Sequence, residues 1–160
     1  ENPHISSLKP IAEYFSITVN QLRGLDPIPK FDKIFKLPLI EWNEITNWHL
    51  EFKTKSIDLV ITDVQVGKQS YATKVQDSSM DPIFPEGTTL VLDPTVQAKD
   101  KSYVIALTDK SSDPVFRQLI FSGSQKLLKP LNPDSSIYKL SHLEESGKIL
   151  ACLVQARHNY

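Results

Sequence analysis

The chain has 160 residues, and 18 Lys and Arg residues nearly balance 19 Asp and Glu residues. This length predicts one domain, or one domain with a small addition, and the near-zero net charge gives no general electrostatic reason to expect nucleic-acid binding. The single cysteine, Cys152, excludes an internal disulfide and a cysteine-rich zinc site. No apolar run reaches the roughly 18 residues of a membrane helix, and the sequence shows no signal peptide, so we expect a cytoplasmic protein without a membrane contact.

The first apolar residues predict a short helix. Pro10 is tolerated in the first turn of a helix, where its missing N–H has no partner, so we expect Ser6 or Ser7 to cap this helix. The apolar residues that recur at helical spacing are Ile5, Leu8, Ile11, Ala12 and Phe15.

A second short helix and a linker follow. Thr18 and Gln21 have the spacing of a capping box, and Gly24 is a C-terminal stop. The next segment holds two prolines within five residues and predicts an extended linker. We therefore divide the chain into a helical segment at 1–24, a linker at 25–33 and a third region at 34–160.

The third region is predicted to be mainly β. Its candidate strands are rich in Val, Ile, Leu, Tyr and Phe and are separated by clusters of Pro, Asp, Ser and Gly. Many short strands without helices between them indicate a sandwich or a barrel. The candidate strands are residues 34–42, 57–61, 70–76, 88–93, 103–108, 115–121, 126–130 and 149–156.

The segment DSSMDPIFPEGTTLVLDP at 77–94 contains the candidate functional residue Ser79. Asp, Ser and Pro are turn formers, and Met80 fits a buried position. Because an isolated serine is weak support for catalysis, the chemistry of this segment alone favours a turn between two strands.

The wider pattern resembles the LexA and phage-repressor family, whose members are Ser–Lys self-cleaving repressors related in fold to signal peptidases. Ser79 falls where this family has its nucleophile, and Met80 follows it. The resemblance covers residues 34–157 and implies a LexA-like, mainly β domain. The other segments that resemble the family, in order, are LPLIEW at 37–42, YVIAL at 103–107, VFRQLI at 115–120, LKPLNPDSSIY at 128–138 and GKILACLV at 147–154.

The opening segment NPHISSLKPIAEYFSITVNQLRG resembles the C-terminal half of a Cro/repressor-type helix-turn-helix domain. The alternative is a generic helical hairpin. The resemblance places the recognition helix upstream of Glu1 and implies that operator DNA is bound through the full-length N-terminal domain. The few basic residues in this segment, Lys9 and Arg23, agree with DNA-contacting charges lying elsewhere.

The family pattern fails at the catalytic lysine. The matching position, 38 residues after Ser79, holds Arg117. A Ser–Lys pair needs a lysine that loses its proton, whereas arginine stays protonated near neutral pH. We therefore expect Arg117 to be inactive as a general base, although it can donate a hydrogen bond to the Ser79 hydroxyl or pair with Asp77 or Asp81.

The cleavage site is altered as well. The family cuts an Ala-Gly or Cys-Gly bond, and the matching positions here hold Ile45 and Thr46. Both side chains are β-branched and stiff, so they fit poorly in a loop that must turn sharply. Two altered elements of one reaction indicate that self-cleavage was lost. Trp42 and Trp48 flank this segment, and we expect them to anchor it on the β core.

No other pattern in the sequence indicates a cofactor or a metal. Only five glycines are present, and neither GxGxxG nor a Walker A motif occurs. The histidines have no metal-ligand spacing. They are His4, His49, His142 and His158.

These observations predict a bacterial or phage-type transcriptional repressor whose β domain forms a homodimer on operator DNA without self-cleavage. One alternative is an active self-cleaving repressor that uses Ser79 as a serine peptidase. Another is a protein-interaction module unrelated to DNA. The resemblance leaves open whether an antirepressor or a RecA-type inducer acts on the protein.

Overall fold

The computed structural model describes residues 5–14, 17–27, 34–47, 58–108 and 113–158. Phe15, Trp48, His4 and His49 lie outside these ranges, as do residues 28–33 of the expected linker. The chain divides into two compact units, Glu1–Lys33 and Ile34–Tyr160.

The first unit contains helix α1, Ile5–Tyr14, and helix α2, Val19–Leu22. Pro10 lies inside α1 rather than in its first turn, so the expected cap at Ser6 or Ser7 is wrong. Proline removes one backbone donor from the helix, but its fixed φ angle is a helical one, and the remaining hydrogen bonds continue through it.

The capping box predicted for the second helix is confirmed. The Thr18 hydroxyl oxygen accepts a hydrogen bond from the backbone N of Gln21 at 3.1 Å, and the Gln21 side-chain oxygen accepts one from the backbone N of Thr18 at 2.8 Å. Gly24 has a φ of 72°, a left-handed conformation that suits glycine and ends the helix.

The second unit is mainly β, as predicted. The strands form a two-stranded sheet, β1-β2, and a seven-stranded sheet in the order β3-β4-β9-β5-β6-β7-β8, and all paired strands are antiparallel. The strands are β1 Phe35–Pro38, β2 Leu59–Thr62, β3 Tyr71–Lys74, β4 Thr89–Asp93, β5 Tyr103–Leu107, β6 Val115–Ser122, β7 Gln125–Lys129, β8 Ser141–His142 and β9 Lys148–Arg157.

Several predicted strand bounds differ from the observed ones, and the largest difference is at the first strand. The strand expected at 34–42 ends at Pro38, and a 3₁₀ turn forms at Trp42–Glu44. Strand β8 was not predicted, because two exposed residues form no alternating pattern.

The larger sheet buries apolar side chains on both of its faces. Along β5, Ile105 belongs to one hydrophobic cluster, whereas Val104 and Ala106 belong to a second one. Successive side chains of a strand point to opposite faces, which produces this division. Met80 lies in the first cluster and Leu128 in the second, so the turn that carries Ser79 packs on the first face.

Candidate functional site at Ser79 and Arg117

Ser79 lies in a 3₁₀ turn, Ser78–Met80, that follows β3. Asp77 caps this turn, and its Oδ1 atom accepts hydrogen bonds from the backbone N of Ser79 at 2.9 Å and from the Ser79 hydroxyl. Aspartate commonly accepts from backbone groups two residues further on, so the Asp-Ser-Ser sequence favours this turn. The Ser79 residue is fully buried, with 0% of its surface exposed.

The segment after β7 holds the turn from the other side. The backbone N atoms of Leu131 and Asn132 donate to the carbonyl oxygen of Ser79 at 3.0 and 2.9 Å. The Asn132 side-chain N donates to the carbonyl oxygen of Ser78 at 2.7 Å. No role was predicted for Asn132, although it lies within the LKPLNPDSSIY segment that resembles the family.

Arg117 comes from β6, where it pairs with Val104 of β5. Gly123, with a φ of 61°, closes the hairpin between β6 and β7. Arg117 Nη1 donates to Ser79 Oγ at 2.5 Å and to the carbonyl oxygen of Phe116 at 2.6 Å. The structure therefore brings Ser79 and Arg117 together, as the aligned positions predict.

Arg117 remains a cation at this site. Burial lowers the pKa of its half-buried guanidinium, while the Asp77 carboxylate and the Tyr138 phenol act in the opposite direction. Guanidinium groups do not deprotonate in proteins near neutral pH. Arg117 can therefore donate to the Ser79 oxygen but cannot take the proton of its hydroxyl.

The two carboxylates near Ser79, those of Asp77 and Asp81, differ in their hydrogen bonding. Asp77 shares the Ser79 hydroxyl with Arg117, and within the described ranges neither Asp77 nor Asp81 forms a direct ion pair with Arg117. The Oδ1 atom of Asp81 is buried and has no hydrogen-bond partner in the part of the chain that the structure describes.

Every hydrogen-bonding group of Ser79 has a partner within the protein. The N–H and O–H groups donate to Asp77, the hydroxyl oxygen accepts from Arg117, and the carbonyl oxygen accepts from Leu131 and Asn132. Neither a lysine amine nor an imidazole is hydrogen-bonded to Ser79 Oγ among the described residues. The groups hydrogen-bonded to the Ser79 hydroxyl within the described ranges are thus a carboxylate and a guanidinium.

The predicted cleavage positions are part of the packed structure. Ile45 is only 2% exposed and belongs to the same hydrophobic cluster as Met80, while Thr46 is half-buried. Neither residue is hydrogen-bonded to Ser79. Trp42 Nε1 donates to the carbonyl oxygen of Pro114 at 2.9 Å, so Trp42 ties this segment to the chain just before β6.

Neither of the described histidines, His142 and His158, is hydrogen-bonded to Ser79. His142 is exposed on β8, and His158 Nδ1 lies 3.2 Å from the Thr88 hydroxyl oxygen. Within the described ranges, no group of three or more His, Cys, Asp or Glu side chains is arranged to hold a metal ion. Within the described part of the chain, the helices, of 10 and 4 residues, are too short to span a membrane.

A groove lies beside β9. It has a volume of about 430 Å³ and is lined mostly by apolar side chains, among them Ile149 and Leu150 of β9. Val96 and Phe121, which also line it, are 43% and 44% exposed. Lys126 contributes the one cationic group among its lining residues.

Comparison with known proteins agrees with this architecture. Residues 38–154 match the sequence model of a protein family described as Peptidase S24-like. An uncharacterized HTH-type transcriptional regulator of Coxiella burnetii is 29% identical over 173 aligned residues, which cover 99% of this chain and 80% of that protein. Repressor protein C2 of Salmonella phage P22 is 28% identical over 117 residues, which cover 71% of this chain and 48%, about half, of the phage protein. Because the matched region contains most of the chain, including Ser79 and Arg117, this chain belongs to the Peptidase S24-like family of LexA and phage repressors.

Proposed function

We propose that this chain belongs to a transcriptional repressor that dimerises through its β unit on operator DNA and does not cleave itself. The observation that carries the proposal is the hydrogen bond from Arg117 to Ser79, at the position where the resemblance implies a lysine. The names of the two relatives, a transcriptional regulator and a phage repressor, support the regulatory part.

The loss of self-cleavage follows from proton chemistry. A serine becomes a nucleophile when a neighbouring base takes its proton, and the neighbours of the Ser79 hydroxyl are a carboxylate and a guanidinium. A carboxylate is a weak base, and a guanidinium is no base at neutral pH. The burial of Ile45 adds a second obstacle, because the bond that would be cut adjoins a side chain packed in the core.

The dimer is proposed to form over the groove beside β9. Val96 and Phe121 expose apolar surface there, next to Ile149 and Leu150. Covering these side chains with a second copy removes apolar area from water, which is favourable. A two-fold dimer also pairs two DNA-binding units, so operator half-sites are expected to show matching symmetry.

The helical unit is proposed to belong to the DNA-binding domain. Helices α1 and α2 are short, and together they are too small to form a stable domain by themselves. The resemblance of this segment to a Cro/repressor-type domain supports DNA binding through the N-terminal unit. The alternative of an interaction module without a DNA role remains the competing proposal.

Genome-wide mapping of binding sites tests the proposal. The protein is expressed from its own gene with an epitope tag and cross-linked to DNA in the cell. The tagged protein is then recovered, and the DNA fragments bound to it are sequenced. A repressor gives a small number of enriched sites that share a sequence with two-fold symmetry, and deletion of the gene raises transcription next to them. An interaction module without a DNA role gives no enriched site.

A further inference from the structure

We propose that Asp77 is a second block on the reactivity of Ser79, independent of Arg117. Its carboxylate holds the serine and keeps any amine at position 117 charged, so that a lysine there does not restore a reactive serine. This inference rests on the proposed absence of self-cleavage, and it identifies a further residue that positions the site.

The first part of the block is the hydrogen bonding of Ser79. One carboxylate oxygen of Asp77 accepts both the Ser79 backbone N–H, at 2.9 Å, and the Ser79 hydroxyl. Acyl transfer by a serine needs the hydroxyl proton to move to a base, and backbone N–H groups beside the nucleophile commonly stabilise the developing oxyanion. Because both groups of Ser79 donate to Asp77, neither is free for these roles.

The second part is electrostatic. Asp77 Oδ1 and Arg117 Nη1 are both hydrogen-bonded to the same atom, Ser79 Oγ, so only two hydrogen bonds separate the two charged groups. An opposite charge this close favours the charged form of an amine. A general base at position 117 must instead be neutral. The acidic groups that raise the pKa of Arg117 are the Asp77 carboxylate and the Tyr138 phenol.

The chain contains a second copy of the same local motif. In the exposed turn Asp134-Ser135-Ser136, the Oδ1 atom of Asp134 accepts hydrogen bonds from the backbone N of Ser136 at 3.0 Å and from the Ser136 hydroxyl at 2.5 Å. The Asp-Ser-Ser sequence therefore forms this arrangement without a neighbouring arginine. Asp134 is not among the charges that act on Arg117, which makes it a matched control.

The test is the pKa of the amine introduced by R117K, measured by NMR titration of the lysine side-chain carbon next to the amine. Its signal is identified by difference from the parent protein. We expect the amine of R117K to keep a pKa above about 9, close to the ordinary lysine value of about 10.4, because Asp77 opposes the effect of burial. In R117K/D77N, which removes only the charge, the pKa is expected to fall by about one unit or more.

The control variant and the results that would contradict the proposal are all read from this titration, which does not depend on self-cleavage of the parent protein. R117K/D134N is expected to titrate as R117K does, which shows that loss of an Asp-Ser-Ser turn elsewhere has no such effect. Equal pKa values in R117K and R117K/D77N would overturn the proposal. If the double variant does not fold, a pKa below about 8 in R117K alone overturns it, because Asp77 would then fail to hold the amine charged. Self-cleavage of the unmodified protein would contradict the proposed function but leave this titration unaffected.

Discussion

Arg117 Nη1 donates a 2.5 Å hydrogen bond to the hydroxyl oxygen of Ser79, a residue 38 positions earlier in the chain. The contact joins the first half of β6 to the turn after β3. The Ser79 hydroxyl donates a hydrogen bond to Asp77, so the serine lies between a cation and an anion. Such a serine is well suited to tying two segments together and poorly suited to attacking a peptide bond.

The purified protein is expected to stay intact at neutral pH. A guanidinium is almost wholly protonated at pH 7, so Arg117 cannot take the Ser79 proton there. Any residual cleavage should increase toward alkaline pH, because hydroxide can then remove the serine proton that Arg117 cannot accept. A time course on denaturing gels at neutral and alkaline pH measures this.

A variant series completes that experiment. R117K with I45A and T46G should still cleave slowly or not at all, and adding D77A should raise the rate, because the serine N–H and hydroxyl are then released. Ser79→Ala is the control in every background. Cleavage between Ile45 and Thr46 at neutral pH in the unmodified protein, lost on Ser79→Ala, would restore the self-cleaving alternative.

Phe121→Glu is expected to weaken dimerisation. The side chain is 44% exposed and lines the groove beside β9, so a carboxylate there would be buried against apolar atoms of the second copy. Sedimentation equilibrium at micromolar concentration should show a shift from dimer toward monomer. Ile137→Glu, at an exposed apolar residue that does not line the groove, should leave the dimer unchanged. A parent protein that is strictly monomeric at this concentration would count against the proposed dimer.

Ile45→Ala should destabilise the β unit. The side chain is 2% exposed and packs in the cluster that contains Met80 and Phe84, so its removal leaves a cavity. Comparable substitutions cost about 2–5 kcal/mol in the free energy of unfolding. Urea unfolding followed by tryptophan fluorescence measures the change, and Thr46→Ser is the neighbouring control with an expected change below about 0.5 kcal/mol. A change near zero for Ile45→Ala would indicate that this segment detaches easily, as a cleavable loop must.

Asp93 should make the stability of the β unit depend on acid pH. Burial alone raises the pKa of its carboxyl, but hydrogen bonds from Thr95 and Gly67 outweigh it, and the pKa lies below the ordinary value overall. A lowered folded-state pKa contributes stability above the unfolded-state pKa of about 3.9, and this contribution is lost as the pH falls through the folded-state value. The urea midpoint should therefore drop more between pH 5 and pH 3 in the parent than in Asp93→Asn. Asp58→Asn, at an exposed aspartate, should behave as the parent does; equal drops in all three proteins would refute the assignment.

Local patterns predicted most elements of this fold. The capping box at Thr18 and Gln21 and strands such as β5 and β6 follow from hydrogen-bonding and alternation rules that act over a few residues. Pro10 was placed wrongly because a helix tolerates one missing donor when its other hydrogen bonds form. The strand β8 was missed because two exposed residues carry no periodic signal.

The sequence by itself determined the identity of the site residues: a serine at 79, an arginine where the resemblance implies a lysine, and β-branched residues at 45 and 46. Only the tertiary structure decided how these residues are used. The Asp77–Ser79 contact lies within one turn, but the contacts of Ser79 with Arg117 and Asn132 join segments that are far apart in the chain. Such contacts depend on strand order and register, which no local pattern contains, because they form only when the sheet brings distant segments together.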